Sequence, residues 1–198
     1  MNTLCINNGL VIDPESCTAR LASVGVKDGR IAEISDTPLH ADTELDAAGH
    51  VVCPGFIDVH AHVDNVTTYP DHETCAKLSL LQGVTTLVSG NCGLSVPNVT
   101  EFFDRIDKGY PLNHAELLGG STLRKMVGAC NIYAPATKEQ IDHMCCLARQ
   151  GLSQGAAGIS LGVGYTPGTS LDEILALATV AREYGRVVSI DTRMEDDY

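Results

Sequence analysis

The sequence is short of basic residues. Lys and Arg number 13 against 25 Asp and Glu, giving a formal charge of -12 over 198 residues. Such a surface repels phosphate backbones, and no local basic patch offsets it, so nucleic acid is excluded as a partner. No stretch approaches 18 continuous apolar residues, which excludes a membrane-spanning helix and a membrane partner of that kind. The opening MNTLCINNGL has no basic segment ahead of an apolar one, so no signal peptide is read. Tryptophan is absent, yet 44% of residues are hydrophobic and 19% charged. That composition belongs to a globular chain rather than a disordered one. The eight cysteines show neither a CxxC pair nor zinc-knuckle spacing, and the chain is longer than a usual disulfide scaffold. Reduced thiols in a cytoplasmic protein are the expectation.

Two regions differ in character. Residues 1–53 carry strand signals without helical periodicity. LCINNGLVID reads as a strand with an NNG turn inside it, ASVGVKDGRIAEIS as two strands around a DG turn, and TELDAAGHVVCPG as one more short strand. From residue 54 to 198, apolar strands alternate with amphipathic segments. FIDVHAHV, VTTLVSG, LNHAELLGG, AAGISLGV and VVSID are the strands. Helices are expected within PDHETCAKLSLLQG, with Cys75, Leu78 and Leu81 as its stripe, and at 137–154. The second begins at a Thr137–Gln140 capping box and turns Ile141, Met144, Cys145 and Ala148 inward. Another helix begins at a Ser170–Glu173 box, with Leu171, Ile174, Leu175 and Ala178 on one face. Repeated strand–helix alternation argues for an α/β fold with a parallel sheet. A closed (β/α)8 barrel takes about 250 residues. Five strands therefore make either an open sheet or part of a barrel, and part of a barrel is the expectation.

His60-Ala61-His62 falls at the polar end of the first of these strands. Alternation puts both imidazoles on one face, as two ligands to one metal ion require, and strand ends are where barrel enzymes place their sites. Asp58 and Asp64 flank the pair and could orient the rings. The plain alternative is a surface histidine pair. Cys92, in SGNCG just past the next strand, has glycines that permit a turn aiming its sulfur back at the barrel axis; otherwise it is an inert thiol in a glycine-rich turn. Two histidines and a thiolate would give three protein ligands and leave a position for water. Tyr165, in LGVGYTPG, offers a hydroxyl to a substrate oxygen, unless its ring merely packs down in a turn. Asp191 could be a ligand or base and Arg193 could grip a carboxylate, or the two form an ordinary surface pair.

Taken together, PGFIDVHAHVD, GVTTLVSGNCG, GGSTLR and GAAGISLGVGYTPG resemble the amidohydrolase superfamily. Within it, the GNCG turn points to the N-acyl-D-amino-acid deacylases (D-aminoacylases). The resemblance implies part of a TIM-like (β/α)8 barrel of the metal-dependent hydrolase type, preceded by part of a small β-sandwich. It implies one or two zinc ions, with His60, His62 and Cys92 as ligands and Tyr165 against the substrate, an N-acyl amino acid. No lysine lies on the fourth strand, in keeping with the cysteine-using branch. Two positions depart from the family pattern: Asp191 stands where a metal-binding histidine is expected, and Gly120 where GHSTLR has a histidine. Asp191 is then a substitute ligand or catalytic proton carrier, a part Asp64 could also take, while Arg193 and Glu195 keep the pattern. The family's sixth-strand histidine and eighth-strand aspartate are not among these residues. Uncovered strand edges would invite self-association. The implied reaction is zinc-dependent hydrolysis of the amide bond of N-acyl-D-amino acids. Two alternatives stand beside it: a non-catalytic subunit working through assembly, and a deaminase or cyclic amidase of the same superfamily.

Overall fold

The computed structural model describes residues 1–63 and 72–193. The chain divides into two compact units, Met1–Gly55 and Phe56–Tyr198.

The first unit is a five-stranded mixed sheet. Its strands are β1 (Asn2–Asp13), β2 (Thr18–Lys27), β3 (Arg30–Ser35), β4 (Ala41–Asp46) and β5 (Val51–Val52). β1 pairs antiparallel with β2 and parallel with β4 along Asn2–Asn7, then with β5 at Leu10 and Val11. The two short strands thus occupy successive stretches of one β1 edge. The Asp28-Gly29 hairpin forms as its sequence demands, with φ of 52° and 72° at the two central residues. The NNG expected as a turn is instead a bulge. Asn8 takes φ 63° and the register shifts between Ile6 and Gly9, while β1 runs on unbroken. One left-handed residue bends a paired strand without reversing it.

The second unit carries strands β6 (Phe56–Asp58), β7 (Val84–Ser89), β8 (Asn113–Gly119), β9 (Gly158–Gly162) and β10 (Val187–Asp191). All neighbouring pairs are parallel, and spatial order follows chain order from β6 to β10. A doubly wound sheet reverses its strand order partway; steady progression in one direction is how a (β/α)8 barrel is laid down. The expected partial barrel is therefore present. The helices are α1 (His72–Leu81), α2 (Val99–Ile106), α3 (Gly120–Met126), α4 (Lys138–Ser153) and α5 (Leu171–Glu183). The main core lies between β8, β9 and the last three helices, around Met144, Ile159 and Leu177, each fully buried.

The Thr137 capping box and the Ser170 cap form as read. Two helical stripes differ from expectation. On α1, Leu78 and Leu81 are exposed and Ala76 is buried instead. On α5, Leu171 and Leu175 are exposed, and Leu177, Val180 and Ala181 face inward beside Glu173. The α5 stripe is rotated because Glu173 must reach Arg124 on α3. The forked guanidinium suits that pairing: Arg124 donates to Glu173 at 2.6 Å and to the carbonyls of Asn131 and Ala134 at 3.0 and 2.7 Å. Both side chains are almost fully buried, at 3% and 1% exposure. Helices α2 and α3 escape sequence reading because each spans only two turns, and α3 starts at Gly119-Gly120 with no side-chain cap.

Burial pushes the Glu173 carboxyl above its ordinary pKa, against the pull of Arg124. Arg124→Ala removes that pull and strands the carboxylate, so unfolding free energy should fall by about 3–5 kcal/mol at neutral pH. With its folded pKa raised further, Glu173 takes up a proton in the native state as pH falls. The loss measured by urea denaturation should therefore shrink between pH 7.5 and pH 5.

Candidate metal centre

The site gathers residues from the ends of β6 and β7. β6 stops at Asp58, short of the strand expected through Val63, and the chain bends at Val59 and His60. Beyond the bend the Ala61 N–H donates to the Val88 carbonyl at 3.0 Å, and the Ala61 side chain is buried against Ala76 and Leu87. With Ala61 pointing into the packing, its two neighbours point out, and His60 and His62 are both exposed. Their rings meet edge-on at 5.2 Å between centroids. Asp58 does not orient a ring here; its carboxylate accepts the backbone N–H of His60 at 3.1 Å and fixes the main chain. Asp64 and Glu195 lie outside the described residues.

Cys92 enters from the turn after β7. Its Sγ stands 3.3 Å from His60 Nε2 and 3.6 Å from His62 Nε2. The three donor atoms all lie within 4.8 Å of one another. Zinc bound at about 2.3 Å to sulfur and 2.0–2.1 Å to nitrogen, at the tetrahedral angle, separates those atoms by about 3.5 Å. The two sulfur–nitrogen separations match that edge, so these residues fit a zinc ion.

The turn reaches this position through backbone that side chains rarely adopt. Cys92 has φ 55°, between Gly90 at 80° and Gly93 at 76°. A left-handed non-glycine residue costs about 1–2 kcal/mol and persists only where its surroundings over-determine it. They do so here on several sides. The Gly93 carbonyl accepts the Ser121 and Thr122 N–H groups at 2.8 and 3.2 Å, at the start of α3. Ser160 on β9 accepts the Gly93 N–H at 3.1 Å and donates to the Gly90 carbonyl. Asn91, 1% exposed, donates its amide to the carbonyls of Val88 at 2.9 Å and Val59 at 3.5 Å, tying the strand that carries His60 to the turn that carries Cys92. Beneath the turn, a Cβ on Gly162 would stand 2.1 Å from the Cys92 carbonyl oxygen, so only glycine fits.

The other expected site residues stand around this cluster. That same Cβ on Gly162 would lie 3.1 Å from the Tyr165 ring, so the tyrosine and the Cys92 carbonyl share one glycine as floor. Tyr165 is 65% exposed. Asp191 ends β10 in register with Gly162 and is half-buried. It is not in the three-residue group that could hold a metal among the described residues. Arg193 donates to the Pro167 carbonyl and to that of Thr169 at 2.9 Å, and so holds the loop that carries Tyr165. At Gly120 a Cβ would come within 2.8 Å of Leu161 Cδ2, so a larger residue there requires Leu161 to move. Sequence reading missed Asn91, Ser160 and Gly162 as supports. Asn91 lies within the SGNCG motif, whereas nothing in GISLG marks Ser160.

No family model matches the chain. It is 33% identical to a D-aminoacylase of Alcaligenes xylosoxydans xylosoxydans over 222 aligned positions, which take in 98% of this chain and 45% of that protein. An N-acyl-D-glutamate deacylase from the same organism is also 33% identical, across 98% of this chain and 44% of the relative. Among solved structures, the N-acyl-D-glutamate deacylase of Bordetella bronchiseptica superposes with a TM-score of 0.89 at 33% identity, over 98% of this chain and 46% of that one. It was solved with zinc and a phosphonate inhibitor that mimics the reaction's tetrahedral intermediate. Nearly the whole chain is thus similar to part of the D-aminoacylases, and it shares their amidohydrolase fold. It spans about half the length of the curated relatives it matches. A D-aminoacylase structure concerned with a binuclear metal centre, activated by one metal and attenuated by a second, aligns at a TM-score of 0.86. A D-hydantoinase at 20% identity and a TM-score of 0.61 shares the fold alone.

The turn geometry can be tested directly. Gly90→Ala would place a Cβ 2.1 Å from the Leu117 carbonyl oxygen at a φ of 80°. Thermal and urea unfolding should show a loss of about 2 kcal/mol or more, since strain of this kind costs about 1–3 kcal/mol before the clash is added.

Proposed function

We propose that the protein carrying this chain hydrolyses the amide bond of N-acyl-D-amino acids, with zinc held by His60, His62 and Cys92. The convergence of two Nε2 atoms on one Sγ at tetrahedral spacing carries this reading. Zinc, when bound, polarises an amide carbonyl and acidifies water. The chain's own residues do the rest. The backbone at Ala61 presents both imidazoles to one point, and the Asn91 amide holds the two ligand-bearing segments together.

Around that point we assign Tyr165, exposed at the rim, to a substrate oxygen. Arg193 gives N–H groups to two loop carbonyls and so keeps Tyr165 in place, with its other N–H groups assigned to the substrate carboxylate. Asp191, half-buried at the end of β10 where the family pattern has a histidine, we assign as a further ligand or as the carrier of a proton between water and the leaving amine. The surface charge of -12 suits a small substrate taken by local contacts rather than by long-range attraction of anions.

Metal analysis and turnover test the proposal together. The full-length protein should hold one or two zinc ions per chain and release amine from an N-acetyl-D-amino acid but not from its L enantiomer. Cys92→Ala should lose both the zinc and the activity. Undiminished zinc in that variant, or equal turnover of both enantiomers, would overturn the assignment.

A further inference from the structure

We infer that Ser160 is a positioning residue for the metal site, acting through Cys92. This rests on the zinc reading above. Ser160 lies on β9, on a different strand from every ligand, and its side chain is fully buried. Its hydroxyl does two jobs at once. It donates to the Gly90 carbonyl and accepts the Gly93 N–H at 3.1 Å, so it bridges backbone groups on either side of Cys92.

The two bonds bracket a segment in which Gly90, Cys92 and Gly93 all have positive φ. The direction of the Cys92 Cα–Cβ bond is set by that unusual backbone, and with it the place of Sγ relative to both imidazoles. The other ties act on one flank or on neighbours. The start of α3 holds only the Gly93 carbonyl, and Asn91 holds the strand ends. The Leu94 N–H closes the turn on the Asn91 carbonyl at 3.0 Å, and Ser160 adds a side-chain bridge from β9 to Gly90 and Gly93. A hydroxyl is the smallest group able to donate and accept at one atom, which a buried strand position beside Gly158 and Gly162 can accommodate. Alanine at this position would leave the Gly90 carbonyl without this donor and the Gly93 N–H without this acceptor. The thiolate would then lose its fixed direction while the three ligands themselves stay intact. Groups that orient metal ligands typically change affinity by about 10–100-fold when removed.

Cobalt(II) titration of the full-length apoprotein reads this directly. Wild type should give the intense near-ultraviolet band of a cobalt–thiolate bond. Ser160→Ala should bind cobalt and zinc about 10–100-fold more weakly and show a weakened thiolate band per bound cobalt even at saturation. Far-ultraviolet circular dichroism should stay that of wild type. A purely structural role would lower the melting temperature of the apoprotein and leave the saturated spectrum unchanged. That result, or unchanged affinity, would overturn the inference. Should Ser160→Ala fail to fold, Ser160→Thr provides the second arm: it keeps the hydroxyl and should keep the thiolate band, and a folded Thr variant without that band would overturn the inference. If wild type binds neither metal, the zinc reading itself fails and the positioning role falls with it.

Discussion

Cys92 sits in a left-handed backbone conformation that it would not choose alone, and the arrangement of the second unit is organised around holding it there. A β-hairpin or helix supplies its own hydrogen bonds, whereas this segment, with three positive φ values, closes one bond of its own, from the Leu94 N–H to the Asn91 carbonyl. Its other polar groups must therefore be met from outside: by Ser160 on β9 and by the first N–H groups of α3. Its main chain must also lie against a surface without a side chain, which Gly162 provides. Removing any of these supports acts on the sulfur without touching it.

That dependence explains why the order of strands matters to the chemistry. The three clustered donor residues follow β6 and β7, while the clamp and the floor come from β9, about seventy residues beyond Cys92. A sequentially ordered parallel sheet brings the C-terminal ends of these strands to one rim, whatever their separation in the chain. Tyr165 and Asp191 reach the same rim because each follows or ends one of those strands. The helical layer has its own polar anchor in Arg124 and Glu173, which ties α3 to α5 from within. Because α3 also supplies N–H groups to the Gly93 carbonyl, its placement is shared between the core and the metal turn.

The departures from the family pattern acquire physical content in this setting. Gly120 is enclosed by Leu161 and the Ser160 carbonyl, so packing has closed over the position where a histidine would project. Asp191 keeps its strand-end register beside Gly162 but not a place within the three-ligand group among the described residues. Arg193 satisfies two loop carbonyls, which gives that arginine a structural task alongside any contact with substrate.

The sequence alone determined the local elements and the ligand types. It placed His60 and His62 at the end of the first barrel strand, although β6 itself stops at Asp58; the Asp28-Gly29 pair formed a hairpin, the Thr137 box started a helix, and strand–helix repetition indicated the barrel architecture. Each of these depends on neighbours within a few residues, where backbone geometry and periodicity dominate. Only the tertiary structure decided that Cys92 meets both imidazoles, that Asp58 holds the main chain of His60 rather than its ring, and that the buried face of α5 turns to follow Glu173. It also revealed Ser160, whose short polar side chain looks like any other in a strand. Apart from the local bond of Asp58, those outcomes turn on hydrogen bonds and close packing between segments 30 to 70 residues apart, and no local pattern records them.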